Sequence, residues 1–252
     1  MIDLIKNNSS FYIRIVLFLA FFGHGLVSLK FSSNYVLHYG ILESVNFSSI
    51  DTEILLLFHA CLDILLAFLI IFNIRVKQLM YFCFGYIFTI AIASLIFYWS
   101  TTGSIFGIAE FLRRAPWLFL ILFIISDVNS KPRYNFIRIG LSFAFLAHGL
   151  ASLGFMGLNQ GHIELAGIVM SQEQARDFVT YTGFSDTILG IMLLQSLFTK
   201  KVALISIVWI AFIVYLSFMN AWPDALFRSG FLLLALYIYL DDRTYIPKLI
   251  KL

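Results

Sequence analysis

Cysteine, proline and charge are all scarce in this chain of 252 residues. The two cysteines, Cys61 and Cys83, form no Cys-x-x-Cys, which excludes a disulfide framework and a thiol relay. Both lie inside apolar runs and are expected to be small buried apolar residues. Charged residues make up only 12% of the chain against 61% hydrophobic, and mean hydropathy is +0.92, which excludes an ordinary soluble domain. The net charge of +3 reflects a one-sided spread of basic residues along the chain, not a nucleic-acid surface. No helix pair is broken by Pro or Gly at matching positions of the two halves, since Pro116 is matched by Gly230 only at helix starts.

What the chain has in abundance is apolar runs approaching the roughly 20 residues that cross a bilayer. They predict an all-α integral membrane protein with eight helices, near Phe11–Leu29, Ile54–Phe72, Leu79–Trp99, Phe111–Ile125, Phe136–Leu153, Phe178–Phe198, Val202–Phe218 and Ala225–Leu240. The fourth and eighth are short. With this order, Lys6, Arg14, Arg75, Lys77, Lys131, Arg133, Arg138, Lys200, Lys201, Arg243, Lys248 and Lys251 fall on one side, 12 of the 17 basic residues. The positive-inside rule makes that side, with both termini, cytoplasmic, and the expected location is the cytoplasmic (inner) membrane. The first apolar run has no small-residue cleavage site after it and is read as a mature helix rather than a signal peptide.

A block near the start returns in the second half. Arg14-Ile-Val-Leu-Phe-Leu-Ala-Phe-Phe-Gly-His24-Gly-Leu-Val-Ser-Leu29 reappears as Arg138-Ile-Gly-Leu-Ser-Phe-Ala-Phe-Leu-Ala-His148-Gly-Leu-Ala-Ser-Leu153. The offset is 124 for Arg14/Arg138, His24/His148 and His38/His162, 123 for Asp63/Asp186, and 114 for Glu110/Asp224 and Arg114/Arg228. The chain therefore reads as two four-helix bundles, residues 1–127 and 134–252, joined by a cytoplasmic linker at 128–133. An even number of helices per module returns the chain to the same side, so the repeat is expected to be parallel, about an axis along the membrane normal.

Most polar residues fall in the outer half of this topology. Asp63 and Asp186 lie near the middle of the second and sixth helices, where a carboxylate faces a bundle interior because lipid contact is costly. They serve either a ligand or helix packing. His59 stands one turn before Asp63 on the same face, able to hold a proton or bond a ligand, whereas its counterpart is Thr182. That difference predicts one working site, in the first module. His24 and His148 read as structural bonds to neighbouring helices, as donors to a quinone-like ring, or as axial ligands of a b-type haem. No residue set is assigned as a metal site. His38 and His162 fall in outer connections and are expected to be solvated. The connections Lys30–Glu53 and Gly154–Asp177 are long enough to fold over the helices as lids. The i, i+4 pairs Glu110/Arg114 and Asp224/Arg228 either neutralise each other or, with Arg113 in excess, form an anion-binding rim.

The pattern Arg14, His24-Gly25, Asp63 with Arg75, then Arg138, His148-Gly149, Asp186 with Gly190 and Lys200-Lys201, resembles the DoxX-like membrane proteins, typically single four-helix modules, here as a tandem pair. The acidic position, often glutamate there, is aspartate in both copies, and the first copy lacks glycines around its second helix. The resemblance implies a redox-associated membrane subunit, with thiosulfate:quinone oxidoreductase among the family's activities and a periplasmic or membrane redox partner. In that setting His59 and Asp63 would exchange protons with a quinone. His24, His148 and Asp186 would contact the ligand, and Arg113, Arg114 and Arg228 would steer a sulfur oxyanion from outside. No haem, flavin or iron–sulfur motif supplies an electron route. A carrier for a small anion or proton-coupled solute, and a membrane scaffold, are the rival classes.

Overall fold

The computed structural model describes residues 8–32, 34–43, 49–101, 103–127, 130, 133–153 and 160–244. Lys6, Lys131, Lys248 and Lys251, most of the linker and parts of both long connections lie outside the described residues. Those described form eleven α-helices: α1 Ser9–Leu26, α2 Tyr35–Glu43, α3 Ser49–Ile71, α4 Val76–Thr101, α5 Ser104–Leu112, α6 Ala115–Ile125, α7 Arg133–Ser152, α8 Gln160–Ala166, α9 Gln172–Leu194, α10 Thr199–Asn220 and α11 Trp222–Leu240. A π-helical turn, Val27–Phe31, continues α1, and a short 3₁₀ turn, Asp242–Thr244, ends the described chain.

Five of these helices are long and apolar enough to cross a membrane: Ser9–Phe31, Asp51–Ile71, Val76–Thr101, Thr199–Asn220 and Trp222–Leu240. Their outer faces carry large apolar side chains in the open. Phe58 on α3, Phe72 just after it, Tyr81 on α4, and Val208 and Phe218 on α10 are all more than 60% exposed. Apolar surface on this scale is the face of a protein whose solvent is lipid. Cys61 lies on such a face, contrary to the expectation of burial, because helical periodicity turns it outward; Cys83 is buried.

The predicted fourth helix is broken. Its first part belongs to α5, and α6 starts anew at Ala115 with Pro116 in its first turn. Proline has no amide to give Leu112, so the chain tightens before it, with the Arg114 amide bonding the Phe111 carbonyl three residues back. At about 1.5 Å per residue, the eleven residues of α6 span roughly 16 Å, about half a hydrocarbon core. The reward for the break lies in its side chains, since Arg113 and Arg114 both turn back onto Glu110.

α1 packs on α3 as α7 packs on α9, and α4 packs on α5 and α6 as α10 packs on α11. α1 also packs on α11, and α7 on α6, so the first helix of each half meets the last helix of the other. One continuous core results, with Ile13, Leu17, Leu120, Phe123, Leu141, Leu234 and Tyr237 all buried in it. Residues from both 1–127 and 134–252 contribute to this core.

Glycines let the paired helices touch. A Cβ at Gly149 would stand 2.8 Å from the Thr187 backbone nitrogen and 2.9 Å from the Gly183 carbonyl. At Gly25 it would stand 3.0 Å from the Ala60 carbonyl. Gly85, by contrast, has nothing within 4 Å. Gly149→Ala is therefore expected to lower stability by about 1–3 kcal/mol through overpacking. Gly85→Ala is expected to be neutral or to stabilise by up to ~1 kcal/mol. Thermal unfolding of both variants in detergent checks this; equal shifts would refute the close approach.

Candidate functional site

Asp63 is the hub of the site. It is 1% exposed in α3, and three side chains from three helices reach it. His24 of α1 donates from Nδ1 to Oδ2 at 2.6 Å, and the Tyr86 hydroxyl of α4 donates to Oδ1 at 2.9 Å. His59, one turn earlier on α3, holds Nε2 3.6 Å from Oδ2 and bonds the Tyr86 hydroxyl through Nδ1. A buried carboxylate persists inside apolar helices only when donors surround it in this way.

His38 joins the cluster from α2. Within the π-helical turn Lys30 takes a φ of 66° that reverses the chain, and α2 folds back so that His38 Nδ1 meets Ser28 Oγ at 2.7 Å. Its ring lies 4.2 Å from that of His24, centroid to centroid. The expectation of a solvated His38 is thus corrected. Burial, with positive neighbours, holds its pKa well below the ordinary imidazole value.

The second half repeats part of this. Trp209 of α10 donates from Nε1 to Asp186 Oδ1 at 3.0 Å, and Tyr86/Trp209 share the 123-residue offset of Asp63/Asp186. His162 Nδ1 meets Ser152 Oγ at 2.7 Å, and its ring stacks 5.4 Å from that of His148. His162 is likewise not solvated. Burial first, then Arg113 and Arg228, push its pKa down to about 3, so it is neutral at ordinary pH. Among the described residues Thr182 bonds only its own helix, at the Val179 carbonyl, and Asp186 gains no histidine.

A cavity of about 260 Å³ opens between the halves. His24, His38, Asp63, Tyr86, Glu110, Arg113 and Arg114 line it from the first half, and His148, His162, Glu164, Asp224 and Arg228 from the second. Phe21, Trp117, Phe227 and Phe231 supply its apolar wall. A smaller cavity of about 100 Å³ adjoins His148, Thr182, Asp186 and Trp209, and Arg228 lines both. Of the predicted site residues, His24, Asp63, Arg113, Arg114, His148 and Arg228 meet at the larger cavity. Asp186 borders only the smaller one, and His59 stands behind Asp63.

The charged rim forms on one side alone. Glu110 takes Arg113 Nη1 at 2.5 Å and Arg114 Nη1 at 3.1 Å, so the expected Glu110/Arg114 pair exists. Asp224 instead accepts the Ser32 hydroxyl at 2.6 Å, and no hydrogen bond joins it to Arg228 among the described residues. Helical spacing put that pair on one face, but Ser32, just beyond the π-helical turn, captured the carboxylate.

Sequence reasoning passed over Tyr86, Trp209, Ser28 and Ser152. The serines stood inside the repeated block and the aromatics at the offset of the acids, which is the signal that finds them. Comparison with protein-family models, curated proteins and solved structures finds no match to this chain.

Proposed function

We propose that this chain is a DoxX-like multi-pass membrane protein, associated with redox chemistry, that binds a quinone-like ring between its halves. In this reading all eight apolar runs traverse or enter the inner membrane as two parallel modules, with both termini cytoplasmic and the cavity toward the outside. Equivalent contacts 123 and 124 residues apart support the duplication: Arg14 with the Ile71 carbonyl and Arg138 with that of Leu194, Gly25 against Ala60 and Gly149 against Gly183, Ser28 with His38 and Ser152 with His162.

The observation that carries the ligand is the cavity's lining. At about 260 Å³ it lies just below the roughly 300–1,000 Å³ typical of small-molecule sites, which suits one substituted ring. Trp117, Phe21, Phe227 and Phe231 offer it stacking surface, and Arg228 and His148 offer donors to its carbonyl oxygens. The carboxylates of the lining, Asp63, Glu110, Glu164 and Asp224, outnumber Arg113, Arg114 and Arg228. That balance favours a neutral carbonyl ring over the sulfur oxyanion that the basic residues alone suggest. Electrons would come from a redox partner.

Titration of the detergent-purified protein with a short-chain quinone is expected to quench Trp117, and an organic extract to contain quinone. Arg228→Ala is expected to weaken binding about tenfold, the worth of one hydrogen bond from a charged donor. The signal should vanish in Trp117→Phe. No quinone in the extract and no quenching would overturn the proposal, and solute flux in liposomes would then favour a carrier.

A further inference from the structure

We infer that His24, His38 and His59 form a binding site for one divalent first-row transition-metal ion. The three imidazoles come from α1, α2 and α3, and one nitrogen from each lies within 4.8 Å of the others. Their ring centroids are 4.2, 5.3 and 6.0 Å apart, with the His59 ring nearly perpendicular to the other two. Three nitrogens bound at about 2.0–2.1 Å to a tetrahedral ion stand roughly 3.4 Å apart, a modest contraction of this arrangement.

The decisive feature is which nitrogens are already used. Each Nδ1 is engaged by a different side chain: Asp63 for His24, Ser28 for His38 and Tyr86 for His59. The Asp63 carboxylate can only accept, so His24 carries its proton on Nδ1 and its lone pair on Nε2. Tyr86 gives its own proton to Asp63, so its oxygen accepts from His59 Nδ1, leaving the lone pair on Nε2, which stands 3.6 Å from Asp63 Oδ2 and beyond hydrogen-bond reach of it. A serine hydroxyl accepts as readily as it donates, which permits the same tautomer in His38. A carboxylate, a phenol and a serine on the far nitrogens form the kind of outer shell that orients metal-bound histidines. One aspartate sets two of them.

Imidazole ligands suit zinc, copper, nickel and iron. Three protein ligands leave a coordination position, and His24 and His38 border the cavity, so a ligand held there can reach the ion. The second half lacks the site. His148 and His162 also pair, at 5.4 Å, but Thr182 stands 123 residues after His59 and cannot complete the triad. The inference gives His59 a ligand's role in place of proton exchange, and it does not rest on the quinone reading.

The test is a titration of the chelator-stripped, detergent-purified full chain with Co²⁺, read by visible absorption and by metal content after desalting. One ion per chain, competed by Zn²⁺, is expected. His38→Ala should lower the Co²⁺ affinity on the order of 100-fold or more, and Ser28→Ala about 10-fold, as loss of an outer-shell partner does. His162→Ala should bind as the parent does. Should His38→Ala fail to fold, Ser28→Ala decides. No Co²⁺ uptake by a monodisperse parent would overturn the site, as would unchanged affinity in both first-half variants or equal loss in His162→Ala.

Discussion

Arg138→Ala is expected to destabilise the protein by about 3 kcal/mol, and Arg14→Ala, at the equivalent place in the first half, by no more than ~1 kcal/mol. Arg138 is 1% exposed. Its Nη1 donates to the carbonyls of Leu193 and Leu194, the latter at 2.7 Å, and its Nε to that of Thr244 at 3.2 Å. Two of these carbonyls end α9, where the helix dipole favours a cation; that of Leu193 also accepts the Ser196 amide. Each acceptor stranded by truncation costs about 1–3 kcal/mol, and the emptied volume adds to that. Release from burying a charge without a carboxylate offsets part of the sum. Arg14 is half-buried and among the described residues makes one hydrogen bond, at 3.3 Å to the Ile71 carbonyl. Denaturation of the two variants in the same detergent separates them. Equal losses would mean that Arg138 packs rather than caps.

The second large effect is expected at Asp63. Asp63→Asn should cost about 2–4 kcal/mol and lower Co²⁺ affinity about 10- to 100-fold, whereas Asp186→Asn should cost no more than ~1 kcal/mol and leave the ion bound. Both oxygens of Asp63 accept, one from Tyr86 and one from His24. An asparagine has one oxygen, so its amide nitrogen must face a donor, either the phenol or the imidazole N–H. The tautomers of His24 and His59 then lose the group that sets them. Among the described residues Asp186 takes one donor, Trp209 Nε1, and an asparagine oxygen serves that bond equally well. Comparable losses from the two substitutions would remove the asymmetry, and a greater loss at Asp186 would reverse it.

Much of this was legible before any fold was known. Apolar run length is a local property, so the helices at Ile54–Phe72, Leu79–Trp99 and Val202–Phe218 lie within α3, α4 and α10 or overrun them by one residue. The cost of a charge in lipid turned Asp63 and Asp186 inward, and helical spacing alone put His59 beside Asp63. Only the tertiary structure decided which of these groups meet. His38 reaches His24 because the chain reverses at Lys30, and no spacing rule contains that reversal. Pro116 was visible in the sequence, yet the direction in which Arg113 and Arg114 turn depends on Glu110 lying buried beneath them. Asp224 shares a helical face with Arg228, but Ser32, 192 residues away, takes its carboxylate. Periodicity specifies the face on which a side chain stands; the neighbour across that face is specified by how helices pack, and every functional contact here except that of His59 with Asp63 and those of the arginines with Glu110 crosses between elements.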